Sequence, residues 1–205
     1  TRRGKWNFKE RMIFNITRWT LQNASAVIFS TEWQRDIFSK FYGLDSRKNF
    51  ILENFYGDKI GDQVQGAGVG SQKNQVNKSD KKVFVAGTRQ LKWKNIERLK
   101  QAFSIVKDKS DEIEVDLSTD TYEKFLEKIK NSYAVILVSL GDISPNMILD
   151  AIRAGKPFIL TRENGLTSRI KDIAIFCDPE NPQHIAEKVL WLSDPINYAE
   201  QKKRI

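Results

Sequence analysis

Asp142 and Asp150 stand eight positions apart, on either side of a short loop and the first turns of a helix. Their surroundings, Tyr133 to Thr161, read YAVILVSLGDISPNMILDAIRAGKPFILT. A loop that opens onto a helix N-terminus presents backbone N–H groups and the positive end of the helix dipole, a natural seat for phosphate. A carboxylate beside that seat can accept from sugar hydroxyls. A second set, Gly87, Arg89, Lys92 and Lys94, lies further upstream. Glycine lets a phosphate approach the backbone, while Arg and Lys neutralise it. Taken singly, each residue has a plainer reading. Asp142 reads as a turn or capping acid, Asp150 as a polar position on a helix edge, and the basic set as a solvated loop. The two sets together favour a phosphorylated ligand that also carries hydroxyls.

The elements that must position these residues follow from periodicity. Tyr133 to Val138 is an apolar run and predicts a buried parallel strand. Gly141, Asp142, Ser144 and Pro145 make a loop, and a helix follows from about Asn146 to Ala154, closed by Gly155. Pro157 to Leu160 is the next strand. Upstream, Val83 to Ala86 predicts a strand, Gly87 to Lys94 a loop, and Ile96 to Val106 an amphipathic helix. Ile113 to Leu117 is a strand interrupted by Asp116, and Thr121 to Asn131 is a helix with Phe125, Leu126 and Ile129 on one face. A strand at Ile173 to Cys177 and a final helix from Pro182 to Leu192 complete the C-terminal part. Strand and helix alternate throughout, which predicts an α/β fold with a doubly wound parallel sheet. In such sheets ligands bind beyond the carboxyl ends of the strands, where both residue sets fall.

The N-terminal part repeats the pattern on a smaller scale. Residues 1–24 are basic and aromatic with helical apolar spacing, Ala26 to Phe29 is a strand, and Ser30 and Thr31 cap a helix from Glu32 to Phe41. Gly43 closes that helix and Asn49 to Leu52 is another strand. Residues 57–80, GDKIGDQVQGAGVGSQKNQVNKSD, hold almost no large apolar side chain and read as a flexible linker. The expected organisation is therefore a partial α/β piece over 1–56, a linker over 57–80 and a ligand-binding domain over 81–205.

Composition bounds the chemistry. The chain has 205 residues, 40% hydrophobic and 11% aromatic, which supports a packed core. No stretch approaches a membrane span in length. It starts at Thr1 rather than Met, so a trimmed N-terminus is expected. Cys177 is the only cysteine and His184 the only histidine, which excludes a disulfide framework and a Cys/His zinc site. A single thiol suits a reducing cytoplasm. The net charge of +8 is compatible with an anionic membrane face, a phosphorylated ligand, nucleic acid or simply a solvated surface. Cys177 reads as a packing residue and His184 as an exposed residue at a helix start. Trp33 and Trp191 read as core or interface residues, and Trp93 as a side chain able to stack on a base or sugar.

The segment from Asp142 to Pro157 resembles the donor-site signature of retaining glycosyltransferases of the glycosyltransferase-B fold, family-4 type. That signature is a pair of glutamates with seven residues between them, then Ala, then Gly-x-Pro. Here Asp142, Asp150, Ala151, Gly155, Lys156 and Pro157 occupy those places, with Asp for Glu at both acidic positions. Gly87, Arg89 and Lys94 resemble the family's first loop, and Ser30, Tyr42, Gly43 and Asn54 match the order seen at the end of its N-terminal domain.

The resemblance implies an enzyme that moves a sugar from a nucleotide-diphospho-sugar to an acceptor hydroxyl. It implies no metal and no resident cofactor. Arg89 and Lys94 would grip the diphosphate, Asp142 would face the transferred sugar and Asp150 the ribose. Gly87 and the backbone N–H groups of Asn146 and Met147 would seat phosphate. Implied partners are a saccharide or lipid-linked acceptor and an anionic membrane surface, with a cytoplasmic, peripheral location. In the family the Asn164–Gly165 turn is followed by a glutamate, where Ser168 stands here. Only the last part of the family's acceptor domain is matched. One rival reading is therefore a non-catalytic binding subunit that docks to a separate acceptor domain. A basic nucleic-acid-binding domain is weaker, because it lacks a recognised motif and a basic–aromatic stripe beyond the N-terminus.

Overall fold

The computed structural model describes residues 6–52, 81–87 and 91–205. The chain divides into two compact units, Thr1–Ser71 and Gln72–Ile205. Arg89, Asn54 and the segment read as a linker lie outside the described residues.

In the first unit, helix α1 (Phe8–Asn23) starts at a capping box: the Asn7 side chain accepts from the Glu10 N–H, and the Glu10 carboxylate accepts from the Asn7 N–H. Strand β1 (Val27–Phe29) leads to Thr31, which caps helix α2 (Glu32–Tyr42). Gly43 ends that helix in the left-handed region, φ 66°, where a side chain would be strained. Strand β2 (Asn49–Ile51) pairs with β1 in parallel, Ile28 opposite Phe50. Val27 and Phe29 are buried, and Phe14 of α1 packs its ring on Phe41 and Tyr42 of α2. No residue of α1 is buried, and Phe8, Met12, Ile13, Ile16 and Trp19 are exposed.

The second unit is a doubly wound sheet. Its elements are β3 (Lys82–Ala86), α3 (Ile96–Lys107), β4 (Ile113–Asp116), α4 (Tyr122–Asn131), β5 (Ala134–Leu137), α5 (Asn146–Arg153), β6 (Phe158–Thr161), α6 (Thr167–Ile170), β7 (Ile175–Cys177), α7 (Pro182–Ser193) and α8 (Pro195–Arg204). All five strands are parallel in the order β4-β3-β5-β6-β7. Every residue of β5 and β6 is buried, because helices cover both faces. Ala134, Ile136 and Val138 enter one core with Phe84, Leu99, Val106 and Val189. Val135 and Leu137 enter the other with Met147, Ile148, Phe158 and Ile170. From β3 the chain steps to β4 on one side and then returns to β5 on the other. The crevice at that switch point opens at the carboxyl ends of β3 and β5.

Two expectations need correction. The helix ending near Leu192 is followed by a further helix, α8. Asp194 caps it by accepting from the Ile196 and Asn197 N–H groups, with Pro195 in the first turn. Its sequence is too polar for a clear apolar stripe. It docks through Tyr198, whose hydroxyl donates to the Tyr133 carbonyl, and through Gln201, whose amide donates to the Ile173 carbonyl. Trp191, expected in a core or interface, is not in the core.

Candidate functional site

The site is built from three loops at the carboxyl edge of the sheet. The first leaves β3 at Gly87. A Cβ added there would sit 3.2 Å from Met147 Sδ and 3.9 Å from Leu137 Cδ1, so glycine lets the start of α5 close against the end of β3. A 3-10 turn, Lys92–Lys94, follows, and α3 begins at Asn95. Asn95 is the one non-glycine residue with positive φ among the described residues, at 62°. Asparagine tolerates that conformation better than other side chains. Both donors of its amide are used, to the Val138 carbonyl at 3.0 Å and the Pro179 carbonyl at 2.7 Å. The Leu140 N–H donates to the Trp93 carbonyl at 2.8 Å. The turn carrying Lys94 is thereby fixed to the ends of β5 and β7.

The second loop runs from β5 to α5 and carries Asp142. Its backbone is clamped to the loop after β6. The Asp142 N–H donates to the Glu163 carbonyl, and the Asp142 carbonyl accepts from the Gly165 N–H, each at 3.0 Å. Asn164 is buried and stabilises that clamp. Its amide donates to the Thr161 carbonyl at 2.6 Å, and its carbonyl oxygen accepts from the Leu166 N–H at 2.9 Å. The Thr161 hydroxyl in turn donates to the Ser139 carbonyl at 2.9 Å. Asn164 and Thr161 escape a sequence reading that sees only a turn at Asn164–Gly165. A buried Asn at such a turn is recognisable only once its partners are known.

Held in this way, Lys94 and Asp142 meet. Lys94 Nζ lies 2.6 Å from Asp142 Oδ2, and the two side chains are 14% and 13% exposed. The sequence leaves Lys92 and Lys94 as alternatives, and Lys94 is the one that reaches the acid. Lys94 is mostly buried and paired, which counts against the plainer reading of the basic set as a solvated loop. Beside the pair, α5 begins after Pro145 without a side-chain cap. Its first-turn N–H groups, those of Asn146 and Met147, stand at the positive end of an eight-residue helix. Asn146 is exposed, whereas the Met147 side chain packs into the core beside Gly87.

Asp150 occupies the next turn of α5 with its side chain 3% exposed. Burial raises its pKa, and Arg153 and Tyr122 oppose that shift. Arg153 Nη1 donates to Oδ1 at 3.1 Å, and the Tyr122 hydroxyl makes longer contacts of 3.3 and 3.5 Å to the two carboxylate oxygens. Arg153 stands three positions further along the same helix, a spacing that sequence shows, whereas Tyr122 belongs to α4 and no spacing signals it. His184 accepts at Nδ1 from the Asp178 N–H at 3.1 Å, and Cys177 is buried with its thiol pushed up to about 12 by desolvation. Gly87 thus meets Met147 and Lys94 meets Asp142 at this edge of the sheet, with Asn146 at the start of α5 and Asp150 a turn further along it.

No protein-family model matches the sequence, and no curated protein sequence matches it. Solved structures do. A glycosyltransferase from Rickettsia africae aligns with 93% of this chain and 60% of its own, at 14% identity and TM-score 0.64. Sucrose-phosphate synthase from Thermosynechococcus elongatus aligns with 100% of this chain and 57% of its own, at 12% identity and TM-score 0.69. Anabaena HepE in complex with UDP-glucose aligns with 95% and 61%, at 12% identity and TM-score 0.68. The fold is that of the glycosyltransferase-B class. The chain spans about three fifths of the length of these glycosyltransferase-B structures. Its sheet in the second unit is the Rossmann-like half of that fold.

Proposed function

We propose that this chain carries the donor site of a glycosyltransferase that uses a nucleotide-diphospho-sugar and delivers the sugar to an acceptor hydroxyl. The observation that carries the reading is the Lys94–Asp142 pair, set at the switch point beside the uncapped start of α5. A diphosphate needs fixed cations and backbone donors. Lys94 and the Asn146 and Met147 N–H groups provide them here, with Arg89 assigned to the same task from its place after Gly87. These groups stabilise charge on the departing diphosphate, which is electrostatic catalysis. Asp142 then orients the sugar, and Asp150 belongs to the ribose end. Retention of configuration and independence from metal come to this reading from the family resemblance. Residues 81–205 form the donor domain in this scheme, 1–56 the end of an acceptor-binding domain, and 57–80 their connection.

Thermal melts test the donor assignment directly. UDP, ADP, GDP and the corresponding nucleotide sugars at 100 times their dissociation constant should stabilise the fold by about 2.7 kcal/mol. A panel in which none of them moves the melting temperature overturns the reading.

The acceptor side of the proposal includes an anionic membrane surface. Residues 1–52 hold ten basic and four acidic side chains, so they account for +6 of the net +8. In the same segment α1 exposes Phe8, Met12, Ile16 and Trp19, with Lys9 beside them. Apolar anchors with neighbouring cations suit an interfacial helix and a lipid-linked or membrane-held acceptor. Among the described residues no helix is long and apolar enough to cross a membrane. The protein should co-sediment with vesicles containing anionic lipid and much less with neutral ones. Equal recovery with both would remove the membrane from the proposal.

A further inference from the structure

The carboxyl edge of the sheet carries a second concavity, away from the switch point. It is an open cavity of about 360 Å³ at the end of β7, the edge strand, between the loop after β6 and the first turns of α7. That volume lies within the range of small-molecule pockets. Arg162 lays its guanidinium over the Phe176 ring, 4.3 Å from the centroid, so its fork of donors is held in place. Lys188 is half-buried on α7. His184, one turn earlier, accepts the Asp178 N–H at Nδ1, so the neutral ring carries its proton on Nε2 and donates from there. Two acids, Glu163 and Asp178, line the same cavity. Among the described residues neither Arg162 nor Lys188 forms an ion pair, with these acids or any other. Elsewhere in this unit neighbouring charges do pair, Arg98 with Glu180 and Lys128 with Asp116 and Asp120.

We infer that this cavity is a subsite for a saccharide that bears an anionic group, a carboxylate or a phosphate. Arg162, Lys188 and the His184 Nε2–H take the anion, by charge-assisted hydrogen bonds from the two cations. Glu163 and Asp178 accept from the sugar hydroxyls. A ligand of this kind uses both signs of charge in the cavity. A bare anion meets two carboxylates beside its cations, and a neutral sugar leaves the cations unmatched. The cavity adjoins the Lys94–Asp142 pair through the backbone, because the Glu163 carbonyl accepts from the Asp142 N–H at 3.0 Å. Resting on the donor reading above, that neighbourhood assigns the acidic saccharide to the acceptor. None of these six side chains has a part in holding the nucleotide.

Ligand-observed NMR titrations with glucose, glucuronate, glucose 6-phosphate and inorganic phosphate test the inference. At least one acidic sugar should bind about tenfold or more tightly than either glucose or phosphate, as expected for one charge-assisted hydrogen bond added to the hydroxyl contacts. The double variant Arg162→Gln/Lys188→Gln should erase the advantage over glucose, and each single variant should reduce it. These variants should melt close to the wild type, because neither cation has an acid partner to lose. Lys94→Ala should keep the preference, which separates the cavity from the diphosphate seat. Equal binding of glucose and both acidic sugars overturns the inference, and so does a preference that survives in the double variant or disappears in Lys94→Ala. Phosphate binding as tightly as both acidic sugars overturns the saccharide assignment. A nucleoside diphosphate that binds the wild type should bind the double variant equally well. A chain that binds an acidic sugar in this way but no nucleoside diphosphate keeps the cavity and loses the donor reading, and the acceptor assignment goes with it.

Discussion

Asp142→Asn should reduce sugar transfer by at least about a hundredfold while nucleoside diphosphate binds as well as before, or several times better. Asparagine keeps the shape of the side chain, and its carbonyl can still accept from Lys94, which sits 2.6 Å from Oδ2. What disappears is the negative charge. Loss of one preorganised electrostatic partner to a transition state costs on the order of 10²–10³ in rate. The diphosphate responds with the opposite sign. In the ligand-free arrangement, Asp142 neutralises the cation that the diphosphate needs, and removing the carboxylate releases it. Two measurements are required: titration calorimetry with the diphosphate on this chain, and transfer measured alongside a complete acceptor-binding domain. Wild-type transfer by Asp142→Asn would make the Asp142/Asp150 pair a structural coincidence and remove the strongest residue-level support for the reading.

The parts of this fold that were legible in sequence are those set by continuous apolar runs. β5 and β6 are buried on both faces, so Ala134 to Val138 and Phe158 to Leu160 could hardly be anything else. The strand–loop–helix unit around Asp142 followed from them, and so did the parallel sheet. Less legible was α8, whose docking depends on single hydrogen bonds from Tyr198 and Gln201 rather than on a stripe. Within the site, residue types could be read but partners could not. Lys94 and Asp142 are 48 positions apart, and nothing in their spacing shows that they pair. Their meeting depends on Asn95, Thr161 and Asn164, buried polar residues that tie loops from different strands together. Sequence periodicity reports burial of apolar faces and is silent on such ties. Tyr122 was invisible for the same reason, since it reaches Asp150 from a different helix.

Lys94→Ala should weaken diphosphate binding by more than the loss of one contact. A charge-assisted hydrogen bond to phosphate is worth about 1.5–3 kcal/mol, roughly ten- to a hundredfold in affinity. Here the substitution also leaves Asp142 without its cation, in a position where its side chain is only 13% exposed. That carboxylate then repels the incoming diphosphate, so the effect should reach the upper end of the range or pass it. The fold should lose stability as well, by about 1–3 kcal/mol, since one member of a mostly buried pair is left unmatched. The double variant Lys94→Ala/Asp142→Asn separates the two contributions. With both charges gone the repulsion and the mismatch vanish together, so stability should recover and part of the lost affinity should return. The coupling between the two substitutions should then measure between about 0.5 and 3 kcal/mol, as for residues in direct contact. A Lys94→Ala protein that binds diphosphate as tightly as the wild type would place the phosphates elsewhere on the sheet edge. Additive losses in the double variant would mean that the pair, though close, does not govern the site's charge balance.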